Sequence, residues 1–239
     1  MRKLWVVLLF VTLAFPFQTA RSSAEYLGGT DSLIISSSAP DLLTNWTFSF
    51  WVYRTVAGAN YVMCKSVYMG VFVANGNTVQ AGIYQVVWGI VGGSTALTDD
   101  TWYHVVVTRS GNDWTIWLNG TIEGGPSTNA TASGAGENFF LMNSPNALTI
   151  LVGRLAEVAG WDAVLTPGEI SALAHGTPPN RIRATKIKYY WPFHLYKLTT
   201  SPDTHIWADL GGGGWNASAS GVTDLISNHA PMSPPGGAN

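Results

Sequence analysis

The sequence predicts an all-β domain, a sandwich or a barrel, and three observations carry that expectation. Short runs of β-branched and aromatic residues recur along the chain, each bounded by Gly, Asn, Ser or Pro. One segment reads as a complete antiparallel meander. A single two-turn segment stands out as a helix.

The runs, in order, are "SLIIS", "WTFSFWVYR", "YVMCKS", "MGVFVAN", "VQAGIYQVVWGIVG" and "ALTILVGRLAEVAGWD". The meander lies in "TWYHVVVTRSGNDWTIWLNG", residues 101–120. There Tyr103, Val105 and Val107 alternate with Trp102, His104, Val106 and Thr108, which is strand period. "SGND" turns the chain, "WTIWL" returns, and Asn119-Gly120 suits the two positive φ angles of a type I′ turn. Residues 101–123 therefore read as three strands. Burying a large aromatic contributes about 1.5–3 kcal/mol, reason enough for tryptophans in a scaffold hairpin. In "TPGEISALAHG", Thr166 and Glu169 form a capping box, Pro167 takes the first helical position and Gly176 follows the last turn.

Composition narrows the function classes. The chain has 239 residues, 46% hydrophobic and only 11% charged, with a net charge of -2. No basic run occurs, so a phosphate backbone finds no counter-charge surface and nucleic-acid binding is not expected. Arg2 and Lys3 precede an apolar block from Leu4 to Phe15, then Pro16 and small residues. This is the layout of a signal peptide over residues 1–24, with cleavage after Ala20 or Ala24. No later stretch reaches the roughly 20 apolar residues of a membrane span, so the mature chain is expected to be secreted, extracellular or at the cell surface. Cys64 is the one cysteine, which rules out an intrachain disulfide; it reads as a small buried apolar residue.

The order of segments resembles the LamG-like jelly roll of the concanavalin A-like lectin/glucanase superfamily. "YLGGTDSLIIS", "WTFSFWVYR", "TWYHVVVTRSGNDWTIWLNG" and "VGRLAEVAGWDAVLTPGEISALAHG" carry the resemblance, over about residues 26–177. It implies an all-β jelly roll of two antiparallel sheets packed face to face, with one short helix. The expected division is a leader at 1–24, the sandwich at 25–180, and an extension at 181–239 that is aromatic, then rich in Gly, Ser and Pro. Gly211 to Gly214 read as a flexible joint.

Catalysis is not expected. A glycosidase needs two carboxylates converging on one cleft. The five glutamates, at 25, 123, 137, 157 and 169, form no such cluster. Glu157 and Asp162, five apart, fall on opposite faces of a regular strand. No Gly-x-Ser-x-Gly elbow occurs, and His104 reads as a packed strand residue. A glycoside hydrolase is the third choice.

The leading expectation is a non-catalytic module that binds glycans or a cell-surface polysaccharide, or mediates adhesion. Sugars stack their C–H faces on exposed rings. Tyr84 and Trp88, four apart on one strand, are the first candidates, with Tyr61, Tyr68, Asn75 and Gln85 nearby, and Trp114 and Trp117 the alternatives. The resemblance also implies calcium at the sandwich rim, where Asp41, Asp99, Asp100 and Asn119 would be ligands. Sequons occur at Asn45, Asn119, Asn129 and Asn216. The rival expectation is a structural subunit of an extracellular filament or surface assembly, a homo-polymer. Its joint would be Tyr189, Tyr190, Trp191, Phe193 and Tyr196, which are too apolar for a free linker and must cover either their own sandwich or another molecule.

Overall fold

A computed structural model describes residues 23–26, 33–35, 44–58, 60–65, 69–74, 76–84, 88–128, 139–142, 151–193, 204–220 and 225–226. The short apolar runs become strands β1 (Ser23–Tyr26), β2 (Leu33–Ile35), β3 (Asn45–Arg54), β4 (Asn60–Lys65), β5 (Met69–Val73) and β6 (Thr78–Tyr84). There follow β7 (Trp88–Ala96), β8 (Trp102–Ser110), β9 (Asp113–Leu118), β10 (Thr121–Thr128), β11 (Phe139–Leu141) and β12 (Gly153–Trp161). Helix α1 (Pro167–Ala174) precedes β13 (Ile187–Trp191), β14 (Thr204–Trp207), β15 (Ala217–Ser220) and β16 (Leu225–Ile226).

These strands make two antiparallel sheets. Sheet A runs β10-β9-β8-β3-β12-β1-β16, with β13 also paired to β12; sheet B runs β14-β15-β2-β11-β4-β5-β6-β7. The sandwich expected from the sequence is present, and it is not a closed barrel. Its core lies between the inner faces, where Phe48, Phe50, Val105, Val107, Ile116 and Leu155 meet Val71, Val73, Val79, Ala81 and Val91. Period-two alternation explains the selection, since every second residue of a strand faces inward.

The meander forms as read, and its Asn119 and Gly120 have φ of 51° and 84°, the signature of the type I′ turn. Helix α1 also forms as read. Thr166 Oγ1 accepts from the Glu169 N–H while Glu169 Oε2 accepts from the Thr166 N–H, closing the capping box. At its end Gly176 has φ of 87°, and the N–H groups of Gly176 and Thr177 donate to Leu173 O and Ala172 O. The buried stripe Ile170, Leu173 and Ala174 covers the outer face of sheet A, where Leu165 and Trp161 join Val106 and Trp117 in a second apolar cluster.

Three boundaries differ from the sequence reading. The run at 79–92 is not one strand: it splits into β6 and β7, which pair as a hairpin with Tyr84 opposite Trp88. The sandwich does not stop at residue 180, because β13 pairs with β12 from Val158↔Trp191 to Trp161↔Ile187. It also begins before residue 25, since Ser23 and Ala24 lie in β1 and pair with Ile226 and Leu225 of β16. The rest of the expected leader, residues 1–22, lies outside the described residues.

The sheets are also fastened along one edge. Glu123 of β10 accepts from Ser94 N–H (2.7 Å), Ser94 Oγ (3.1 Å) and Thr95 N–H of β7. Beside it, a Cβ on Gly124 would lie 2.2 Å from the Gly92 carbonyl oxygen, so only glycine allows this approach of edges.

Candidate functional site

The two outer faces of the sandwich differ in access. On sheet A, Thr47, Ser49, Trp51, His104, Val106, Thr108 and Trp117 are all buried. At one end of the face the cross-strand row Arg154, Tyr53 and Trp102 is partly open, and at the β10 edge Ile122 is exposed. The row is already engaged: the Arg154 guanidinium sits 4.9 Å from the Tyr53 ring centre, and Tyr53 Oη donates to Asp100 Oδ1 at 3.2 Å.

Sheet B presents a partly open row on its outer face. Because Val71, Val73, Val79, Ala81 and Val91 point to the core, Phe72, Gln80, Ile90 and Gly92 point outward. Register aligns Tyr61 with Phe72, Phe72 with Gln80, and Gln80 with Gly92, a single row across four strands. Tyr61, Phe72 and Gln80 are half-buried, and Ile90 is 40% exposed. The Tyr61 and Phe72 rings lie 5.5 Å apart at 49°. The next row places Gly70 opposite Gly82 and Gly82 opposite Ile90. The following row holds the Tyr84 and Trp88 positions, and residues in these alternate rows share one face of the sheet. The two predicted residues thus come together across a hairpin rather than along one strand. Tyr61 belongs to the same face; Tyr68, Asn75 and Gln85 lie outside the described residues. Phe72 and Gln80 escaped the sequence reading, although the alternation of "GVFVAN" and "TVQAG" contained the signal.

This arrangement offers what a sugar needs: flat rings for C–H faces and an amide for hydroxyls, while Gly70 lets the Tyr61 ring lie down against the sheet. Cys64, opposite Gly70, is buried as expected, and burial pushes its thiol up to about 12.

The alternative sugar-stacking residues are corrected. Trp114 is fully buried in the core, edge to face with Trp46 at 5.1 Å. Trp117 is 9% exposed beneath α1. Neither ring has a free face, because β9 is covered by the core on one side and by the cluster under α1 on the other.

The tail aromatics are corrected too. Tyr189, Tyr190, Trp191 and Phe193 are all buried. Tyr189 stacks on Trp191 at 4.8 Å and reaches the core beside Phe48, while Tyr190 joins the cluster under α1. They fill their own sandwich and are not available as a joint to another molecule; Tyr196 lies outside the described residues. The glycine run is likewise no loose joint. Asp209 Oδ1 accepts from the Tyr190 and Gly211 N–H groups and Oδ2 from the Trp215 N–H. A Cβ on Gly211 would lie 2.6 Å from Tyr189 Cα.

Three of the four predicted rim ligands are already engaged by protein groups. Asp99 takes the Arg54 Nε–H at 2.7 Å, so a buried guanidinium stands where a cation would. Asp100 accepts from Tyr53, and Asn119 Oδ1 accepts the His104 N–H at 2.9 Å. Among the described residues no group of three His, Cys, Asp or Glu gathers. Asp41 lies outside them, as does Asn129. Of the other sequons, Asn45 and Asn216 are exposed and Asn119 is half-buried in its turn.

No catalytic pair assembles from the described carboxylates. Glu123 fastens two edges, Glu169 caps α1 and binds Arg183 Nε at 2.6 Å, and buried Glu157 accepts from Tyr190 Oη at 2.5 Å. Asp162 lies 3.5 Å from Lys188 Nζ. Ser49 Oγ does stand 2.9 Å from His104 Nε2, the spacing of a nucleophile and base. Both are 1% exposed, and His104 Nδ1 has no acid to orient it. Burial, then the charge of His175, lowers the imidazole to about 3. This is a neutral packed histidine.

Comparison with known proteins agrees with the geometry. The laminin G-type profile described as "Concanavalin A-like lectin/glucanases superfamily" matches residues 27–171. Among solved structures, a candidate carbohydrate binding protein from Bacteroides ovatus superposes with a TM-score of 0.65 at 14% identity, over 89% of this chain and 62% of that one. The present chain therefore spans under two thirds of that protein's length. A heptameric SAP-like pentraxin from Limulus polyphemus gives a TM-score of 0.53 at 16% identity, over 65% of this chain and 82% of that one. At these identities the likeness establishes the fold. No curated protein sequence matches. The sandwich, its capped helix and the match over residues 27–171 lead to one assignment: the chain belongs to the concanavalin A-like lectin/glucanases superfamily.

Proposed function

We propose that this chain is a secreted, non-catalytic glycan-binding module, and that its ligand lies across the outer face of sheet B. The observation that carries the reading is the contrast between faces. Sheet A is covered by α1 over β8, β9 and β12, whereas sheet B leaves Tyr61, Phe72 and Gln80 half-buried in one row. Half-buried rings with fixed rotamers bind at low entropic cost. The Bacteroides ovatus structure, named for carbohydrate binding, supports the same class. The signal-like N-terminus supports export, and cleavage after Ala20 would keep β1 whole.

The test is a glycan array and polysaccharide affinity electrophoresis with the mature chain and two variants. Tyr61→Ala and Gln80→Ala are expected to fold normally and to lose retention about tenfold or more, the loss of one good stacking or hydrogen-bonding group. Turnover of any retained polysaccharide would overturn the non-catalytic part of the reading. Retention unchanged in both variants would move the site elsewhere.

A further inference from the structure

Five buried side-chain atoms of the described residues lack a hydrogen-bond partner: Trp46 Nε1, His104 Nδ1, Arg109 Nη2, Trp114 Nε1 and Tyr189 Oη. Three of them fall in one cross-strand row. Trp46 of β3 pairs with Arg109 of β8, and Arg109 pairs with Trp114 of β9. Directly opposed residues of antiparallel strands share a face, their Cβ atoms about 4.5–5.5 Å apart. These side chains therefore leave the inner face of sheet A from adjoining points. They are 1%, 1% and 0% exposed. The indole rings meet at 5.1 Å, and Arg109 Cζ lies 5.9 Å from the Trp114 ring centre. The same guanidinium is anchored by Nε, which donates to Gly111 O at 2.7 Å.

The chemistry of this row is one-sided. Indole N–H and guanidinium groups donate and never accept. Burial pushes Arg109 down, yet a guanidinium starts so high that it stays charged. Asp113, the nearby carboxylate in sequence, accepts from Thr128 Oγ1 at 2.7 Å, and Arg109 forms no ion pair with a described residue. The edge-to-face contact can turn one indole N–H onto a ring, but the guanidinium still has no carboxylate partner among the described residues, only the Trp114 ring face. A buried charge without a counter-charge is strongly destabilising. Whatever completes the row must accept hydrogen bonds, carry negative charge, and be small enough for a close-packed interior.

We propose that Trp46, Arg109 and Trp114 form an internal site for a small monovalent anion of the halide class. One guanidinium N–H and two indole N–H groups hold it, and it ties β3, β8 and β9 together beneath the Gly111–Asn112 turn. The site is separate from the outer face of sheet B and does not depend on the glycan-binding reading.

The test is thermal unfolding of the full chain in sodium gluconate, with sodium chloride or bromide substituted at constant ionic strength. The expected result is a Tm that rises by roughly 3–5 °C for each tenfold increase in halide above its Kd. Arg109→Met is expected to abolish the rise. Should that variant not fold, Trp114→Phe keeps a ring and removes the N–H; its response is expected to need about tenfold more halide. Bromide-soaked crystals are expected to show an anomalous peak within the row. Identical Tm values in gluconate and halide, or the same halide response in wild type and Trp114→Phe, would overturn the proposal.

Discussion

The Tyr190 hydroxyl donates to Oε2 of buried Glu157 at 2.5 Å, joining β13 to the bulge where β12 departs from its register with β3. Glu157 has φ of 53° there, a conformation that costs of order 1–3 kcal/mol and persists only when its surroundings enforce it. The bond and the strand pairing make residues 187–193 part of the sandwich.

Tyr190→Phe is therefore expected to destabilise the protein by about 0.5–1.5 kcal/mol, the net contribution of a typical intramolecular hydrogen bond. Deleting residues 181–239 is expected to abolish cooperative unfolding, because it strips four buried aromatics from two clusters. Circular dichroism melts read both. A truncated protein as stable as the full chain would show that β13 is dispensable.

Glu123 makes stability depend on acidity. Burial works to raise its carboxyl, but hydrogen bonds from Thr95 and Ser94 outweigh this and hold it below the ordinary value of 4.5. A depressed carboxylate contributes stability that is fully present above the unfolded value and is lost as pH falls through the folded one. The contribution should thus be complete above about pH 4.5 and disappear below it. In urea melts across this window, Glu123→Gln is expected to show a shallower acid loss than wild type. Parallel pH profiles would mean that the carboxylate does not fasten the edges.

His104 extends the same acid loss toward neutrality. Its folded value, about 3, lies below the unfolded 6.5. The unfolded chain binds the proton first, so this residue lowers stability as pH falls from 6.5 toward 3. Nitrogen-15 NMR of the imidazole is expected to show a neutral ring down to pH 4. Titration near 6.5 would refute the buried Ser49–His104 arrangement and reopen its reading as a base.

The cap of α1 carries its own cost. Thr166→Ala is expected to cost about 1 kcal/mol, and the loss should appear as local exchange in α1, whose apolar stripe shields sheet A. Unchanged amide exchange in residues 167–174 would contradict the capping role.

The meander and the helix were legible because each is specified locally, by alternation, by Asn119-Gly120, and by Thr166, Pro167, Glu169 and Gly176. What escaped depends on distant contacts. No local pattern says that Trp114 and Trp117 are covered on both faces, since α1 and the opposite sheet do the covering. The dense aromatics of 189–193 have to cover either their own sandwich or another molecule, and the sequence does not choose because their partners, Phe48 and Glu157, lie far back in the chain. Tyr84 and Trp88 were placed on one face for the wrong reason: a four-residue spacing was read as strand period where the chain reverses. Phe72 and Gln80 became site residues only once register set them beside Tyr61.

The central claim is that sheet B's outer face binds glycan. The most direct measurement is retention of wild type, Phe72→Ala and Ile122→Ala by affinity electrophoresis on the same polysaccharide panel. Ile122 is 53% exposed on β10 of the other sheet and serves as the control. The account predicts retention by wild type and Ile122→Ala, and its loss in Phe72→Ala with the melting curve still cooperative. Equal retention by all three proteins, or by none, would contradict it.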